Sequence, residues 1–324
     1  MATGIYTGVD GVARKVKTPY VGVDGVARKV TTAYRGVDGV ARKCYSGTAT
    51  PEADTLDGCS WANISEVSAS GQASNFWSVG DSKAVLVKGM VGTLSVNATL
   101  YVYIIGFDHN GATNSIDFGT FKTSATDSKT VCLRDKYYET DRESIGTDVR
   151  GFRISDTDYN PSNRTRNGWK GCDLRNYVLG SGDIAGEDAT SGCPTNPVAN
   201  TLMAALPSDL RAVMKPMNVW SQNRDASGYS VEYLPLLAYY EIFGAIATSS
   251  DIEADYLQRY EYYSLGNSQI KNGFGYSTST SAWWTRTGAM STTDFCWCIS
   301  QYSWDKGQWL YANYSRGVAP IFRV

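Results

Sequence analysis

Short runs of β-branched and aromatic residues, each broken by an Asp-Gly pair, open the chain. Gly8-Val9-Asp10-Gly11-Val12-Ala13-Arg14-Lys15-Val16 returns from Gly22 and from Gly36, a spacing of 14 residues, with Tyr6, Tyr20 and Tyr34 in register. Asp-Gly between β-prone runs predicts a tight hairpin, so residues 1–45 read as three hairpin units. One hairpin cannot bury enough surface to be stable in water, and such units must stack, pair with other chains or lie along a partner. Cys44 takes the place held by Val16 and Val30, which reads as a small buried apolar position.

The pattern changes after the small-residue stretch Ser46-Gly47-Thr48-Ala49-Thr50-Pro51, which reads as part of a linker over 46–58. Beyond it, 83–91 and 92–105 alternate or run apolar over strand lengths, punctuated by Gly89, Gly92 and Gly106. Two helices are expected. One lies in 171–180, with Asp173 as its start and Gly180 as its stop; the other lies in 199–213, interrupted by Pro207, with Ser208 and Asp209 able to cap its second turn. About the last eighty residues return to short strands and polar loops. The expectation is an α+β domain over 59–324, mostly strands with about two helices, preceded by a β-hairpin repeat arm.

Composition narrows the function classes. The chain has 324 residues and a formal charge of −2, which gives no reason to expect a nucleic-acid backbone or an anionic membrane as partner. The charge is unevenly placed: residues 1–45 hold eight Lys or Arg and three Asp, a net of +5, leaving −7 for the rest. That arm is either a solvated strand face or a docking arm for an acidic surface. His109 is the single histidine, so no site can use two imidazoles, and its setting Gly106-Phe107-Asp108-His109-Asn110-Gly111 reads as a turn. The seven cysteines form no C-x-x-C pair and are odd in number, unlike a zinc ribbon or a secreted disulfide framework. No secretory signal is recognisable and no eighteen apolar residues run together, so a protein made in a cytoplasm, with reduced thiols and no membrane insertion, is expected.

Several strings are recognisable together. The Gly-Val-Asp-Gly-Val-Ala-Arg-Lys repeats resemble those that open tail and virion proteins of phages and prophages of Gram-positive gut bacteria. Gly168-Trp169-Lys170-Gly171-Cys172-Asp173-Leu174-Arg175, Leu206-Pro207-Ser208-Asp209-Leu210-Arg211, Tyr233-Leu234-Pro235-Leu236, Tyr240-Glu241-Ile242-Phe243-Gly244, Tyr260-Glu261-Tyr262-Tyr263, Trp283-Trp284-Thr285-Arg286 and Gly317-Val318-Ala319-Pro320-Ile321-Phe322 resemble an uncharacterised domain often found behind such repeats. That domain is similar to the C-type lectin-like fold, which includes formylglycine-generating enzymes and the variable proteins of diversity-generating retroelements. In the latter, diversified positions near the C terminus select a host receptor. The resemblance implies a virion-associated adhesin, on the exterior of tail or capsid, that shows a C-terminal face to a host cell-surface ligand, protein or glycan. It also implies attachment to other virion proteins through residues 1–45, a homotrimer, no catalysis, and neither cofactor nor metal. A structural decoration protein of head or tail is the alternative, and an oxidase of the formylglycine-generating class is a third reading.

The residues of 287–316 point the same way, since large amphipathic rings alternate there with Ser, Asn, Gln and Gly, the mixture that binding loops favour. A β-rich core that uses rings everywhere is the plainer alternative. Asp305-Lys306-Gly307 reads as a hairpin turn, after which Trp309, Tyr311 and Asn313 share one strand face while Leu310 and Ala312 share the core face. The expected contact residues are Tyr302, Trp304, Asp305, Lys306, Gln308, Trp309, Tyr311, Asn313 and Tyr314. Trp283, Trp284 and Arg286 are assigned to the core and its support. Cys296 and Cys298, at i and i+2, read as structural thiols; in formylglycine-generating enzymes a cysteine pair near the C terminus binds copper, but the spacing here is closer. Asp156, Asp158 and Asn160 recur like the start of a calcium loop, but Pro161 and Asn167 stand where such a loop needs Gly and Glu, and the stretch reads as a turn.

Overall fold

The computed structural model describes residues 6–9, 12–15, 19–30, 32–37, 39–46, 49–141, 144, 149, 151–155, 168–181, 197–291, 295–302 and 304–324. The stretch with Asp156, Asp158 and Asn160 and the side chain of Cys44 lie outside the described residues.

Each repeat is a hairpin: β1 (Tyr6–Val9) with β2 (Val12–Lys15), β3 (Tyr20–Val23) with β4 (Val26–Lys29), and β5 (Thr32–Val37) with β6 (Val40–Ser46). The register places valine opposite valine beside every Asp-Gly, at Val9↔Val12, Val23↔Val26 and Val37↔Val40. Asp24 and Gly25 take left-handed φ values of 52° and 74°, as the turn between right-twisted strands demands. Each pair is a sheet of two strands, and Tyr20, Val21, Val23, Val26 and Tyr34 are exposed. The hairpins therefore present apolar side chains that they do not bury themselves.

The linker expected over 46–58 is part of the domain from about residue 50 onward. The Asn63 side-chain amide donates to the Thr50 carbonyl at 3.1 Å and its Oδ1 accepts from the Glu52 N–H at 3.0 Å, while Leu56 is buried in the core. The asparagine belongs to α1 (Trp61–Ala69), capped by the Ser60 hydroxyl, with a buried stripe of Trp61, Ile64 and Val67. That stripe lies on the main sheet. The Trp61 ring meets Phe118 and Phe322 edge-on at 5.5 and 6.0 Å, and those two phenylalanines stack across a strand pair at 5.2 Å.

The main sheet runs β14 (Thr280–Ser281), β13 (Lys271–Gly275), β10 (Thr130–Arg134), β9 (Ile116–Lys122), β8 (Leu94–Phe107), β7 (Ser82–Val91), with β18 (Ile321–Arg323) paired to β9. All these pairs are antiparallel except β10 with β13. The C-terminal strand thus closes against the middle of the sheet. The Arg323 guanidinium clamps the Asp117 carboxylate at 2.6 and 2.7 Å in the neighbouring strand.

The two expected helices are replaced by shorter turns. Over 171–180 the chain makes a π-helical turn, Leu174–Leu179, in which the Gly180 N–H donates to the Arg175 carbonyl at 3.0 Å, and the Asp173 side chain caps nothing. Gly180 sits at φ 70° with Thr201 so close that a Cβ would meet its hydroxyl, so the wide turn fits where a bulkier stop would not. Over 199–213 there are two one-turn helices, Leu202–Ala205 and Ser208–Arg211; Pro207 itself occupies the cap position of the second, displacing Ser208 into its first turn. Further short helical segments at Ala73–Phe76, Tyr239–Phe243 and Glu261–Ser264 make the helices more numerous than expected, each brief, and the domain is α+β with strands dominant. Among the described residues no helix is long and apolar enough to cross a membrane.

A second sheet carries the C-terminal segment: β15 (Trp283–Gly288), β16 (Phe295–Ile299) and β17 (Gln308–Tyr311), all antiparallel. Beside it stands the hairpin β11 (Met217–Ser221) with β12 (Gly228–Glu232), joined through the Gly288 N–H to the Gln222 carbonyl at 3.0 Å. Trp283, Trp284 and Arg286 are fully buried. Arg286 holds Glu241 through two bonds of 2.7 and 2.8 Å, and a second enclosed pair joins Arg175 to Glu232 at 2.7 Å. His109 occupies the turn expected of it, but its ring is buried and stacks on Tyr260 at 3.5 Å, with burial lowering its pKa.

Candidate functional site

The second sheet is covered on both sides, and this decides which of its rings can meet a ligand. On one face Cys296, Cys298 and Leu310 join the larger apolar core with Trp284 and Cys172. On the other, Trp283, Trp297 and Ile299 join a second core with Tyr239, and Trp309 packs against it. Strand register explains the division: Cys296 pairs with Leu310 and Trp297 with Trp309, so alternate residues fall to opposite cores.

Leu310 therefore lies on the face expected of it, and Ala312 is completely buried. Trp309 lies on the opposite face, though it is no free anchor. Its ring meets Trp297 at 4.9 Å and 88°, and Trp297 meets Tyr239 at 4.9 Å and 70°, a chain of edge-to-face contacts that fixes the sheet. Tyr311 is 50% exposed and leans on Phe295 at 4.2 Å. Asn313 and Tyr314 lie in the turn after β17, half-buried; Tyr314 packs on the core and sits 5.5 Å below the Arg316 guanidinium. Tyr314 reads as a support rather than a contact.

The expected tight turn at Asp305-Lys306-Gly307 is instead the end of an eight-residue loop, 300–307, between β16 and β17. Asp305 still organises it: its carboxylate accepts from the Gly307 N–H at 3.0 Å, and its own N–H donates to the Tyr302 carbonyl at 3.3 Å. Gly307, at φ 132°, lets the chain pass the Cys298 carbonyl, where a Cβ would collide. The loop projects its rings outward. Trp304 is 81% exposed and stacks on Tyr302 at 5.3 Å and 13°, with Tyr302 itself 48% exposed. Lys306 reaches over the Phe243 ring at 5.4 Å, and Gln308 is exposed at the start of β17.

Chemically the loop offers aromatic area, amides and two opposite charges, Asp305 and Lys306. The Cys296 and Cys298 thiols lie inside the core, where burial pushes Cys298 up to about 12 and Cys296 well above its ordinary value, the opposite of a reactive thiolate. Among the described residues no three His, Cys, Asp or Glu side chains form a group that could hold a metal ion. The stacking of Tyr302 on Trp304 escaped sequence reasoning, because it depends on the loop's length. The only available signal was the spacing of the two rings at i and i+2.

No curated protein matches the chain, and no solved structure does. A family model, the domain of unknown function DUF6273, matches residues 128–324, which spans β10, the π-helical turn, the β11–β12 hairpin and the whole second sheet with its exposed loop. The chain belongs to the DUF6273 family.

Proposed function

We propose that this protein is a virion-associated adhesin whose loop 300–307, with Tyr311 beside it, forms the contact face for a ligand on a host cell surface. The observation that carries the reading is the Tyr302–Trp304 stack, two large rings reaching into water at the edge of a sheet whose Trp283, Trp284 and Trp297 are enclosed. A tryptophan left 81% exposed forgoes most of the hydrophobic stabilisation its burial could give, and that surface is recovered when a partner covers it. The sheet beneath is fixed by two cores, so little ordering cost falls on binding.

The resemblance of the repeats to those of phage tail and virion proteins, and the apolar side chains that the hairpins expose, support mounting on a particle through residues 1–45 and a trimeric assembly. The resemblance of the domain to the C-type lectin-like fold is supported by the C-terminal strand returning to the middle of the main sheet and by the separate small sheet that bears the loop. An oxidase would need thiols that copper and substrate can reach, and the burial of Cys296 and Cys298 argues against it.

The test is competition. Purified full-length chain added to host cells should bind them and block adsorption of the particle in proportion to occupancy. A chain that binds no cell and blocks no adsorption is a decoration protein instead.

A further inference from the structure

We infer that the protein holds a carboxylate group of a ligand on the open edge of the Arg316 guanidinium, beside the rings of Tyr138 and Tyr314. Backbone bonds fix this arginine from both sides. The Ser315 N–H donates to the Thr140 carbonyl, the Arg316 N–H to the Phe152 carbonyl and the Gly317 N–H to the Ala282 carbonyl, each at 3.0 Å. The Tyr138 hydroxyl donates to Gln301 Oε1 at 3.4 Å, so the place adjoins the 300–307 loop. The inference does not depend on the adhesin reading, because it concerns the binding of a small carboxylate in the absence of any cell.

The charge of Arg316 is what marks the site. Arg175, Arg286 and Arg323 are enclosed and each holds a carboxylate, those of Glu232, Glu241 and Asp117. Arg316 is 8% exposed, as enclosed as Arg323, and makes no ion pair among the described residues. Its Nη1 donates to the Ser315 carbonyl at 2.9 Å, and the Cys298 thiol beside it is a weak acceptor that brings no charge. Tyr138 and Tyr314 present their rings 5.3 and 5.5 Å from the guanidinium carbon, which stabilises a cation without neutralising it. Nε and Nη2 have no oxygen partner among the described residues and are not enclosed. A largely desolvated charge left without a counter-charge is costly, and an anion at that open edge removes the cost.

The surroundings favour an anion, and the geometry of the edge selects a carboxylate. Arg134 lies over the same Tyr138 ring at 3.8 Å with its Nη1 donating to the Ser279 and Ser281 hydroxyls, each at 2.9 Å, and it too makes no ion pair among the described residues. Glu139 is exposed and within electrostatic reach of Tyr138 and Cys298; it lowers the positive field but does not pair with Arg316. The Nε–H and Nη2–H of a guanidinium point the same way from one edge, two parallel donors that match the two oxygens of a carboxylate. Arg323 shows the match in this molecule, holding Asp117 through the same two nitrogens at 2.6 and 2.7 Å. A cation is repelled there, a neutral hydroxyl leaves the charge uncompensated, and a phosphate brings a second charge for which one fork has no partner.

The experiment is saturation-transfer NMR on the full chain with acetate at ~10 mM and constant ionic strength, enough to populate a millimolar site. Methyl phosphate, methyl glucoside and methylammonium are the comparisons. Acetate should receive saturation, methyl phosphate should bind more weakly, and the neutral and cationic probes should not bind. Arg316→Gln should abolish acetate binding. Arg316→Lys keeps the charge and the stem but loses the fork, so it should raise the dissociation constant roughly tenfold, and it serves as the folded comparison if Arg316→Gln does not fold. Glu139→Gln removes the opposing charge and should lower the constant about two- to threefold. Arg224→Gln, at an exposed arginine paired with Asp225, should change nothing. The inference is overturned if acetate does not bind, if methyl phosphate binds more tightly, or if methyl glucoside or methylammonium binds as well. It is equally overturned if acetate binds Arg316→Gln or Arg316→Lys as it binds the parent, an adventitious ion only, or if Glu139→Gln or Arg224→Gln weakens binding.

Discussion

Replacing Arg286 with methionine should destabilise the domain by about 3–5 kcal/mol, because it strands a carboxylate in the core. The structure sets out what is lost. The guanidinium gives Glu241 two bonds of 2.7 and 2.8 Å, caps the Leu236 carbonyl at 2.6 Å and the Trp220 carbonyl at 2.8 Å, and neither side chain of the pair is more than 1% exposed. In the variant Glu241 keeps only the Ala238 N–H at 2.9 Å and the Asn110 amide at 3.3 Å, too little for an ionised carboxylate at zero exposure. Thermal unfolding reads this directly, at about 2–4 °C per kcal/mol for a domain of this size. The double variant Arg286→Met with Glu241→Leu completes a cycle. It should recover part of the loss, since no charge then remains buried alone, but not all, since the Leu236 and Trp220 carbonyls still lack a donor. A single-variant cost below about 1 kcal/mol, the range of surface pairs, would refute the reasoning, as would losses that simply add across the cycle.

Other outcomes follow from the same structure. Leu310→Ala should lower stability by about 2 kcal/mol while leaving cell binding intact, because its side chain only partly enters the core; a binding loss with unchanged melting would reverse the assignment of faces. Trp309→Ala should reduce both melting temperature and binding, since the ring supports Trp297 as well as bordering the loop, and a variant that melts normally would show that the contact carries no stability. Changing Cys296 and Cys298 together to serine should cost roughly 1–3 kcal/mol for each hydroxyl left without a partner, with adsorption per folded particle unchanged. Burial raises the Glu253 carboxyl to about 7 against an ordinary 4.5, so its contribution is fully present below pH 4.5 and lost as the pH rises through 7; Glu253→Gln should flatten the pH dependence of stability across that window, measured by urea unfolding at fixed pH values. The full chain should scatter light as an oligomer, because the hairpins expose Tyr20, Val21, Val23 and Val26 that one copy does not cover; a monomer with protease-resistant repeats would contradict this.

The parts of the fold visible in the residues are those whose cause is local. The repeats read as hairpins because Asp24-Gly25 needs no distant contact to turn, and Leu310 could be separated from Trp309 because strand faces alternate every residue. The residues announce no helix at α1, because its stripe of Trp61, Ile64 and Val67 is short and sits among polar residues. Non-local causes left no readable trace. The Arg286–Glu241 pair joins residues 45 apart, the π-helical turn answers to the proximity of Thr201, and His109 is buried because Tyr260 covers it. In the candidate site the choice of Tyr302, Trp304 and Tyr311 as outward rings agrees with their exposure, whereas the half-burial of Trp309 depends on a second core and that of Tyr314 on the larger one, neither of which any spacing in the strand announces.

The central claim, that the stacked rings of the 300–307 loop meet the host ligand, is tested most directly by the affinity of full-length Tyr302→Ala and Trp304→Ala chains for host cells, measured beside their thermal unfolding. Trp304 lies largely in water and Tyr302 about half so, and the account predicts nearly unchanged melting and binding weakened by about 1–4 kcal/mol for Trp304→Ala, with a smaller loss for Tyr302→Ala, which removes half of the stack. Normal binding by both variants at unchanged stability would contradict it and remove the loop from the contact face.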